Sequence, residues 1–197
     1  FIGNYSSGKM GFALAEACAE AGAEVMLVAG PVSLKTNHSS IDRIDVESAE
    51  EMYRAVLSEY DRSDIAIMCA AVADYAPETV SDVKLKRTGE DRILRLRPNP
   101  DIAAELGRRK RPGQCLVGFA LETNDEEMNA RLKMEKKNLD FIVLNSLRDA
   151  GAGFQCDTNK VTVIGKQGDP VEIPCKPKIE VAADIVDIIG RYVSEDR

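Results

Sequence analysis

The sequence predicts an α/β fold with a mostly parallel, doubly wound sheet, helices on both faces and long loop excursions. Short apolar runs alternate with longer amphipathic stretches along the whole chain, which is typical of strands separated by helices. The run at residues 65–71 is unbroken, as expected of a central strand buried on both faces. The chain has 197 residues, so we expect one Rossmann-like domain spanning residues 1–197.

The first half of the chain predicts a helix, a strand, a second helix and a second strand. Residues 12–21 are alanine-rich with apolar residues about every 3.6 positions, and Gly22 follows as a C-terminal cap. Ser48 and Glu51 form the Ser-x-x-Glu pattern of a capping box, which predicts a helix ending near residue 60. The predicted strands lie at residues 25–29 and 65–71.

The second half begins with a polar stretch at residues 72–87 that lacks apolar periodicity. A loop this long inside a compact domain is usually functional or mobile. Residues 92–97 alternate like a half-exposed strand, and Pro100 opens a short helix. The remaining predictions are strands at 115–120, 141–144 and 161–164, and helices at about 124–137 and 179–193.

Composition excludes several classes of function. The 33 acidic residues exceed the 26 Lys and Arg, and a net charge of -7 argues against nucleic-acid or membrane-surface partners. Five scattered cysteines without a C-x-x-C favour reduced thiols in a cytoplasmic protein over disulfides or structural zinc. One histidine leaves little material for a Ser-His-Asp triad or a histidine metal site. No apolar run approaches a membrane span, and no signal-peptide pattern opens the chain.

A glycine-rich segment, residues 3–11, precedes the first predicted helix. Its backbone amides, two serine hydroxyls and the helix N-terminus would converge on an anion, although an ordinary glycine-rich helix start is equally compatible. Met10 stands where a Walker A loop has Ser or Thr, so a true P-loop is disfavoured. An α/β domain normally begins with a central strand before such a loop, so we expect that strand to be lacking from this chain.

Further candidates lie at the ends of predicted strands. Small residues at Ala70 and Ala71 would let a ligand approach the backbone, or else permit tight helix packing, and Asp74 follows as a ligand contact or a turn cap. Cys69 is disfavoured as a nucleophile because no histidine lies nearby. Asn145 could read a base by donating and accepting at once, or form a turn.

Two groups of cations have both a functional and an ordinary interpretation. Lys84, Lys86 and Arg87 lie in the long loop and could close over a polyphosphate as a lid, although such clusters are usually solvated surface. Lys133 and Lys137 lie at the end of a predicted helix, where the helix dipole alone favours cations.

Seven motifs together resemble one family, phosphopantothenate-cysteine ligase in its bacterial form. They follow the family's order from residue 2 to about residue 165. The motifs are residues 2–11 (IGNYSSGKMG), 30–33 (GPVS), 70–75 (AAVADY), 84–86 (KLK), 99–102 (NPDI), 117–119 (VGF) and 137–140 (KNLD).

This resemblance implies an enzyme of coenzyme A biosynthesis that joins 4'-phosphopantothenate and L-cysteine. CTP and Mg2+ would activate the carboxylate as an acyl-cytidylate with release of pyrophosphate, and cysteine would then displace CMP. The resemblance also implies a homodimer and, in many bacteria, fusion to a flavin-dependent decarboxylase domain.

The resemblance assigns roles to individual residues, with no assignment of metal ligands. Asn4 and Lys84 are the implied catalytic residues, Lys84 being on the flap. The implied substrate-binding residues are Asn4, Ala70, Ala71 and Asp74. The implied nucleotide-binding residues are Ser6, Gly8, Gly11, Met68, Cys69, Ala70, Lys84, Pro100, Asp101, Ile102, Ala103, Phe119, Lys133, Lys137 and Asn145.

Two functions other than a ligase make different demands on the sequence. A Rossmann oxidoreductase would need G-x-G-x-x-G after a strand and an acidic residue ending the second strand, and the sequence has neither. A non-catalytic nucleotide-binding regulatory module of the same fold remains open. Such a module would bind nucleotide without releasing pyrophosphate.

Overall fold

The computed structural model describes residues 3, 6–87, 89, 91–122, 125–146 and 156–195. The helices are α1 Lys9–Glu20, α2 Ala49–Tyr60, α3 Ile102–Arg109, α4 Glu126–Lys136 and α5 Lys178–Glu195. The strands are β1 Val25–Ala29, β2 Ile41–Asp45, β3 Ile65–Met68, β4 Tyr75–Pro77, β5 Leu96–Pro98, β6 Cys115–Glu122, β7 Phe141–Ser146, β8 Thr158–Gly165 and β9 Val171–Pro177.

The main sheet has five strands in the order β3-β6-β7-β8-β9. Strands β3, β6 and β7 run parallel, with Ile65 beside Cys115 and Val117 beside Phe141. Strands β8 and β9 complete the sheet in antiparallel orientation. The carboxyl ends of the three parallel strands therefore meet at one edge, where α/β sheets usually bind ligands.

Helices cover both faces of this sheet. Strand β6 shows the alternation directly, because Cys115 and Val117 pack with α1 and α5, whereas Leu116 packs with α2, α3 and α4 on the opposite face. Strand β7 repeats this pattern, with Val143 on the first face and Ile142 on the second. The predicted α/β class with helices on both faces is confirmed.

A second, two-stranded parallel sheet joins β1 to β2. Residues of β1 and of β3 line one cavity of about 1850 Å³, and in the described part of the chain these two strands belong to separate sheets.

Local signals place several helix ends. Ser48 Oγ accepts from the Glu51 amide at 3.2 Å while the Glu51 carboxylate accepts from the Ser48 amide at 3.2 Å, so the capping box is confirmed. Gly22 follows α1 at φ +91°, a conformation that glycine adopts without strain. Helix α1 begins at Lys9 rather than at residue 12, because Lys9 and Gly11 in its half-buried first turn interrupt the apolar periodicity.

Two strands predicted from periodicity are shorter in the structure, and two further strands were missed. The strand predicted at residues 65–71 ends at Met68, where its pairing with β6 ends. The strand predicted at 92–97 is only Leu96–Pro98, and its antiparallel partner Tyr75–Pro77 lies in the stretch predicted as loop. Strands β2 and β9 were not predicted because their polar, edge-type sequences resemble loops.

None of the helices in the described ranges has the length and apolar content needed to cross a bilayer.

Candidate functional site

The large cavity runs along β1 and β3 and reaches the carboxyl edge of β3, β6 and β7. Its lining brings together nine of the residues that the sequence singled out, from four separate parts of the chain. They are Ser6, Gly8, Gly11, Met68, Cys69, Ala70, Ala71, Phe119 and Asn145. Asn4 lies outside the described residues.

The turn before α1 offers hydrogen-bond donors to this cavity. Among the described residues, the Gly8 and Lys9 amides make only long contacts, to Ser6 Oγ at 3.4 Å and to Ser7 Oγ at 3.5 Å. The amides of Met10 and Gly11 have no acceptor among the described residues. Free amides at a helix N-terminus, together with the helix dipole, favour an anion such as phosphate.

Two glycines shape this turn for different reasons. Gly8 has φ +75°, and a Cβ added there would lie 3.1 Å from Cγ1 of Val32, so both the backbone and the neighbouring loop favour glycine. A Cβ added at Gly11 would meet nothing within 4 Å. The space above Gly11 is therefore open to a ligand.

The end of β3 carries small residues beside the turn. Burial raises the pKa of the Cys69 thiol to about 12, so it stays protonated at neutral pH. A protonated thiol is a poor nucleophile. Cys69, Ala70 and Ala71 line the cavity with small side chains. The approach of a ligand to the backbone at this edge stays a prediction.

Sequence reasoning missed a charged cluster beside the turn. Lys9 Nζ pairs with Asp157 Oδ1, and Lys178, whose residue is 6% exposed, donates from Nζ to the Cys156 carbonyl. Burial lowers the pKa of Lys178, and the positive charge of Lys9 lowers it further. Hydrogen bonding to Lys9 lowers the pKa of Asp157. No local pattern could reveal this cluster, because Lys9 and Lys178 are brought together only by the packing of α1 against α5.

The excursion between β3 and α3 is fastened at its base by Asn99. The Asn99 amide donates to the Asp74 carbonyl at 2.8 Å, and its side-chain Nδ2 donates to the Ala73 carbonyl at 2.8 Å. Asn99 lines the cavity, whereas Asp74 and Lys84 do not, and Lys84 is exposed. Closure of the Lys84 flap over the cavity stays a prediction.

A second group of predicted residues gathers at the N-terminus of α3. Asp101 caps α3 by accepting from the Ala104 amide at 3.0 Å, and it pairs with Lys137 Nζ at 3.0 Å. Burial would raise the pKa of Asp101, but the amide and the lysine together lower it. This group is absent from the lining of the large cavity. It consists of Pro100, Asp101, Ile102, Ala103 and Lys137, with Lys133 one turn earlier on α4.

In the described ranges, no three His, Cys, Asp or Glu side chains cluster closely enough to hold a metal ion. Mg2+ usually keeps several waters and binds through one or two carboxylates plus substrate phosphates. The backbone N–H donors at the turn suit phosphate oxygens rather than a cation.

Comparison with known proteins identifies relatives along most of the chain. Residues 1–192 match the DNA/pantothenate metabolism flavoprotein C-terminal domain family. The coenzyme A biosynthesis bifunctional protein CoaBC of Bacillus subtilis (strain 168) is 49% identical over 190 residues, which are 96% of this chain and 47% of that protein. CoaBC of Escherichia coli (strain K12) is 41% identical over 201 residues, covering 100% of this chain and 49% of that protein.

A cysteine/cysteine sulfinic acid decarboxylase of an unknown prokaryotic organism is 55% identical over 186 residues, 94% of this chain and 52% of that protein. The chain thus spans about half the length of the curated relatives it matches. Among solved structures, the C-terminal domain of CoaBC superposes with a TM-score of 0.81 at 38% identity, covering 98% of this chain and 86% of that one. The chain therefore belongs to the family of the DNA/pantothenate metabolism flavoprotein C-terminal domain.

Proposed function

We propose that this chain is a CTP-dependent phosphopantothenate-cysteine ligase of coenzyme A biosynthesis. Support comes from family membership, from the relatives named coenzyme A biosynthesis bifunctional protein, and from the resemblance of the seven sequence motifs. A Cab2 mutant whose structure is a complex with phosphopantothenate-cysteine shares the fold, with a TM-score of 0.78 at 15% identity. The observation that carries the proposal is the turn before α1, with its free amides and the open space above Gly11.

The proposed reaction has two steps. A carboxylate oxygen of 4'-phosphopantothenate attacks the α-phosphorus of CTP, forming the acyl-cytidylate and releasing pyrophosphate. The amine of L-cysteine then attacks the acyl carbon, loses a proton and displaces CMP. Neither step needs a protein nucleophile, so positioning and charge stabilisation can supply the catalysis.

Residues at the turn and at the end of β3 are proposed to serve the two steps. The amides of Met10 and Gly11 would hold phosphate oxygens, and the small residues Ala70 and Ala71 would let the reacting groups approach β3. Asn4 and Asp74 are proposed to contact the acyl group. Mg2+ would enter with CTP and neutralise phosphate charge, held mainly by the phosphates and water.

A coupled pyrophosphate assay tests the function. CTP, 4'-phosphopantothenate and L-cysteine should together give pyrophosphate, CMP and the cysteine amide, and ATP at the same subsaturating concentration should give less. Nucleotide binding without pyrophosphate release would instead favour the regulatory module. Equal rates with ATP would overturn the assignment of CTP.

We also propose a homodimer. The excursion between β3 and α3, which includes the Lys84 flap, carries exposed apolar side chains. Among them are Val80 at 86% and Ile93 at 90% exposure, and a second copy of the chain would cover them. Isologous pairing is the commonest oligomeric arrangement. Sedimentation velocity at micromolar concentration should show a dimer, and a monomer alone would contradict this.

Because the relatives are bifunctional and about twice as long, we propose that the domain works fused to, or associated with, a flavin-dependent decarboxylase. The proposed location is the cytoplasm, where coenzyme A precursors and reduced cysteines coexist.

Replacing Lys84 by glutamine should lower the rate of pyrophosphate release by about tenfold with little change in the KM for CTP. The reason is that its ammonium would meet the triphosphate only when the flap closes, which is a contact made mainly in the transition state. Lys35→Gln is the matched control, since it removes the same charge from an exposed loop that does not line the cavity. Equal single-turnover rates for the two variants would remove Lys84 from the catalytic residues.

A further inference from the structure

Two asparagine side chains meet inside the cavity at the carboxyl edge. Asn145 lies near the end of β7, and Asn159 lies near the start of β8, two residues before Val161, which pairs with Asn145. Both asparagines line the cavity. Asn159 Nδ2 donates to Asn145 Oδ1 at 2.8 Å. Asn159 is 5% exposed, so its hydrogen bonds are made inside the protein.

The backbone fixes the orientation of the Asn159 amide. Its Oδ1 accepts from the Lys160 backbone N–H at 3.1 Å, and a backbone N–H can only donate. The oxygen of Asn159 must therefore face Lys160, which places Nδ2 toward Asn145. The same Nδ2 also lies 3.9 Å from Met10 Sδ, a weak acceptor.

This arrangement fixes the orientation of Asn145 in turn. Its oxygen is held by Asn159, so the amide nitrogen is the group left for a ligand, and within the described residues that nitrogen has no partner. The sequence suggested that Asn145 could donate and accept at once. In the structure its oxygen already accepts from Asn159, so the group it presents is the NH2 donor.

We infer that Asn159 is a positioning residue that presents Asn145 as a hydrogen-bond donor to an acceptor on the nucleotide base. The inference rests on the proposed function and deepens it by naming the edge of the base that is read. Asn159 Nδ2 lies 3.9 Å from Met10 Sδ, so the asparagine pair lies beside the first turn of α1, within reach of a nucleotide whose phosphates sit at that turn. Phe119 on the intervening β6 lines the same cavity and offers a ring for the base to pack against.

The polarity of Asn145 discriminates between pyrimidines. Cytosine presents a ring nitrogen acceptor at N3, next to the O2 acceptor. Uracil carries an N–H at N3, and two donors facing each other cannot form a hydrogen bond. An Asn145 donor that faces N3 therefore favours CTP over UTP, and the discrimination depends on Asn159.

Asn159→Asp is the sharpest test because it exchanges one NH2 group for an oxygen. One carboxylate oxygen can still accept from the Lys160 amide, but the other can only accept from Asn145. The Asn145 amide must then turn over to donate toward residue 159, and its oxygen faces the ligand. We expect the preference for CTP over UTP in kcat/KM to fall by about tenfold, a magnitude typical of one base-reading contact.

Asn145→Asp removes the donor directly and should reduce the same ratio, so the inference is also tested by a variant in a less buried position. Asn37→Asp makes the identical chemical change in an exposed loop and should leave the ratio unaltered. A ratio of two nucleotides with the same triphosphate cancels any general repulsion by the added charge.

The outcomes separate this inference from the proposed function. If wild-type protein releases pyrophosphate but both cavity variants keep its CTP-to-UTP ratio, the positioning role is overturned and the ligase proposal stands. Equal losses for both nucleotides would likewise overturn it, since they indicate a structural role only. If wild-type protein releases no pyrophosphate, the ligase proposal fails, and calorimetric binding of CTP and UTP to the same variants still decides the role of Asn159.

Discussion

Replacing Gly11 by alanine is expected to stabilise the chain while lowering kcat/KM for CTP by about 10²-fold, because a misplacement of about 1 Å at a reacting site costs that much. The added methyl group would meet no protein atom within 4 Å, and it would extend into the cavity beside the free amides of Met10 and Gly11. Alanine is also the better helix former by about 0.5–1 kcal/mol. Stability and activity should therefore change in opposite directions.

Thermal unfolding and steady-state kinetics on the same preparation measure both effects. Ser58→Ala is the control, because Ser58 is an exposed residue of α2 that does not line the cavity, and alanine is the better helix former. This control should gain stability without losing activity. Unchanged kinetics in Gly11→Ala would show that no ligand approaches this helix end.

Replacing Asp140 by asparagine should destabilise the fold by about 3–5 kcal/mol, as expected when one partner of a buried ion pair is removed. Asp140 is 6% exposed, and its carboxylate accepts from Lys110 Nζ at 2.8 Å, Lys166 Nζ at 3.0 Å and the Leu116 amide at 2.7 Å. These contacts join α3, β6, β7 and β8 at the amino edge of the sheet, opposite the candidate site. The variant would leave Lys110 buried without its counter-charge.

The effect should depend on pH in a defined direction. Burial would raise the pKa of Asp140, but the two lysines and the Leu116 amide overcome burial and lower it. A carboxylate whose folded pKa is depressed stabilises the native state above its unfolded pKa of about 3.9. That contribution is lost as the pH falls through the folded pKa, so the stability difference between wild type and Asp140→Asn should shrink below about pH 4.

Urea unfolding at pH 7 and at pH 3 measures this difference. Asp187→Asn, which breaks an exposed i,i+4 pair with Arg191 on α5, should cost at most about 0.5 kcal/mol. Where Asp140→Asn remains folded, its KM for CTP should match wild type, since the cluster is remote from the site. A loss no greater than that of the control would mean that solvent already screens Asp140.

Local sequence was sufficient to predict most of the fold. The apolar runs of β6 and β7 and the amphipathic pattern of α5 show their periodicity within a few residues, because each element buries a face that repeats along its own length. The capping box at Ser48 and the glycine at Gly22 are equally local signals. Strands β2 and β9 were missed because pairing with a neighbouring strand, rather than their own composition, makes them strands.

The candidate site divides in the same way. The glycine turn and the small residues after β3 were predicted because backbone access needs particular residue types at adjacent positions. Only the tertiary structure brought Asp157, Asn159 and Lys178 to that turn, since they come from β8 and α5, far along the chain. The sequence determined that Asn145 carries an amide, and the fold decided which end of that amide a ligand meets, because the Lys160 backbone N–H orients Asn159 and Asn159 orients Asn145.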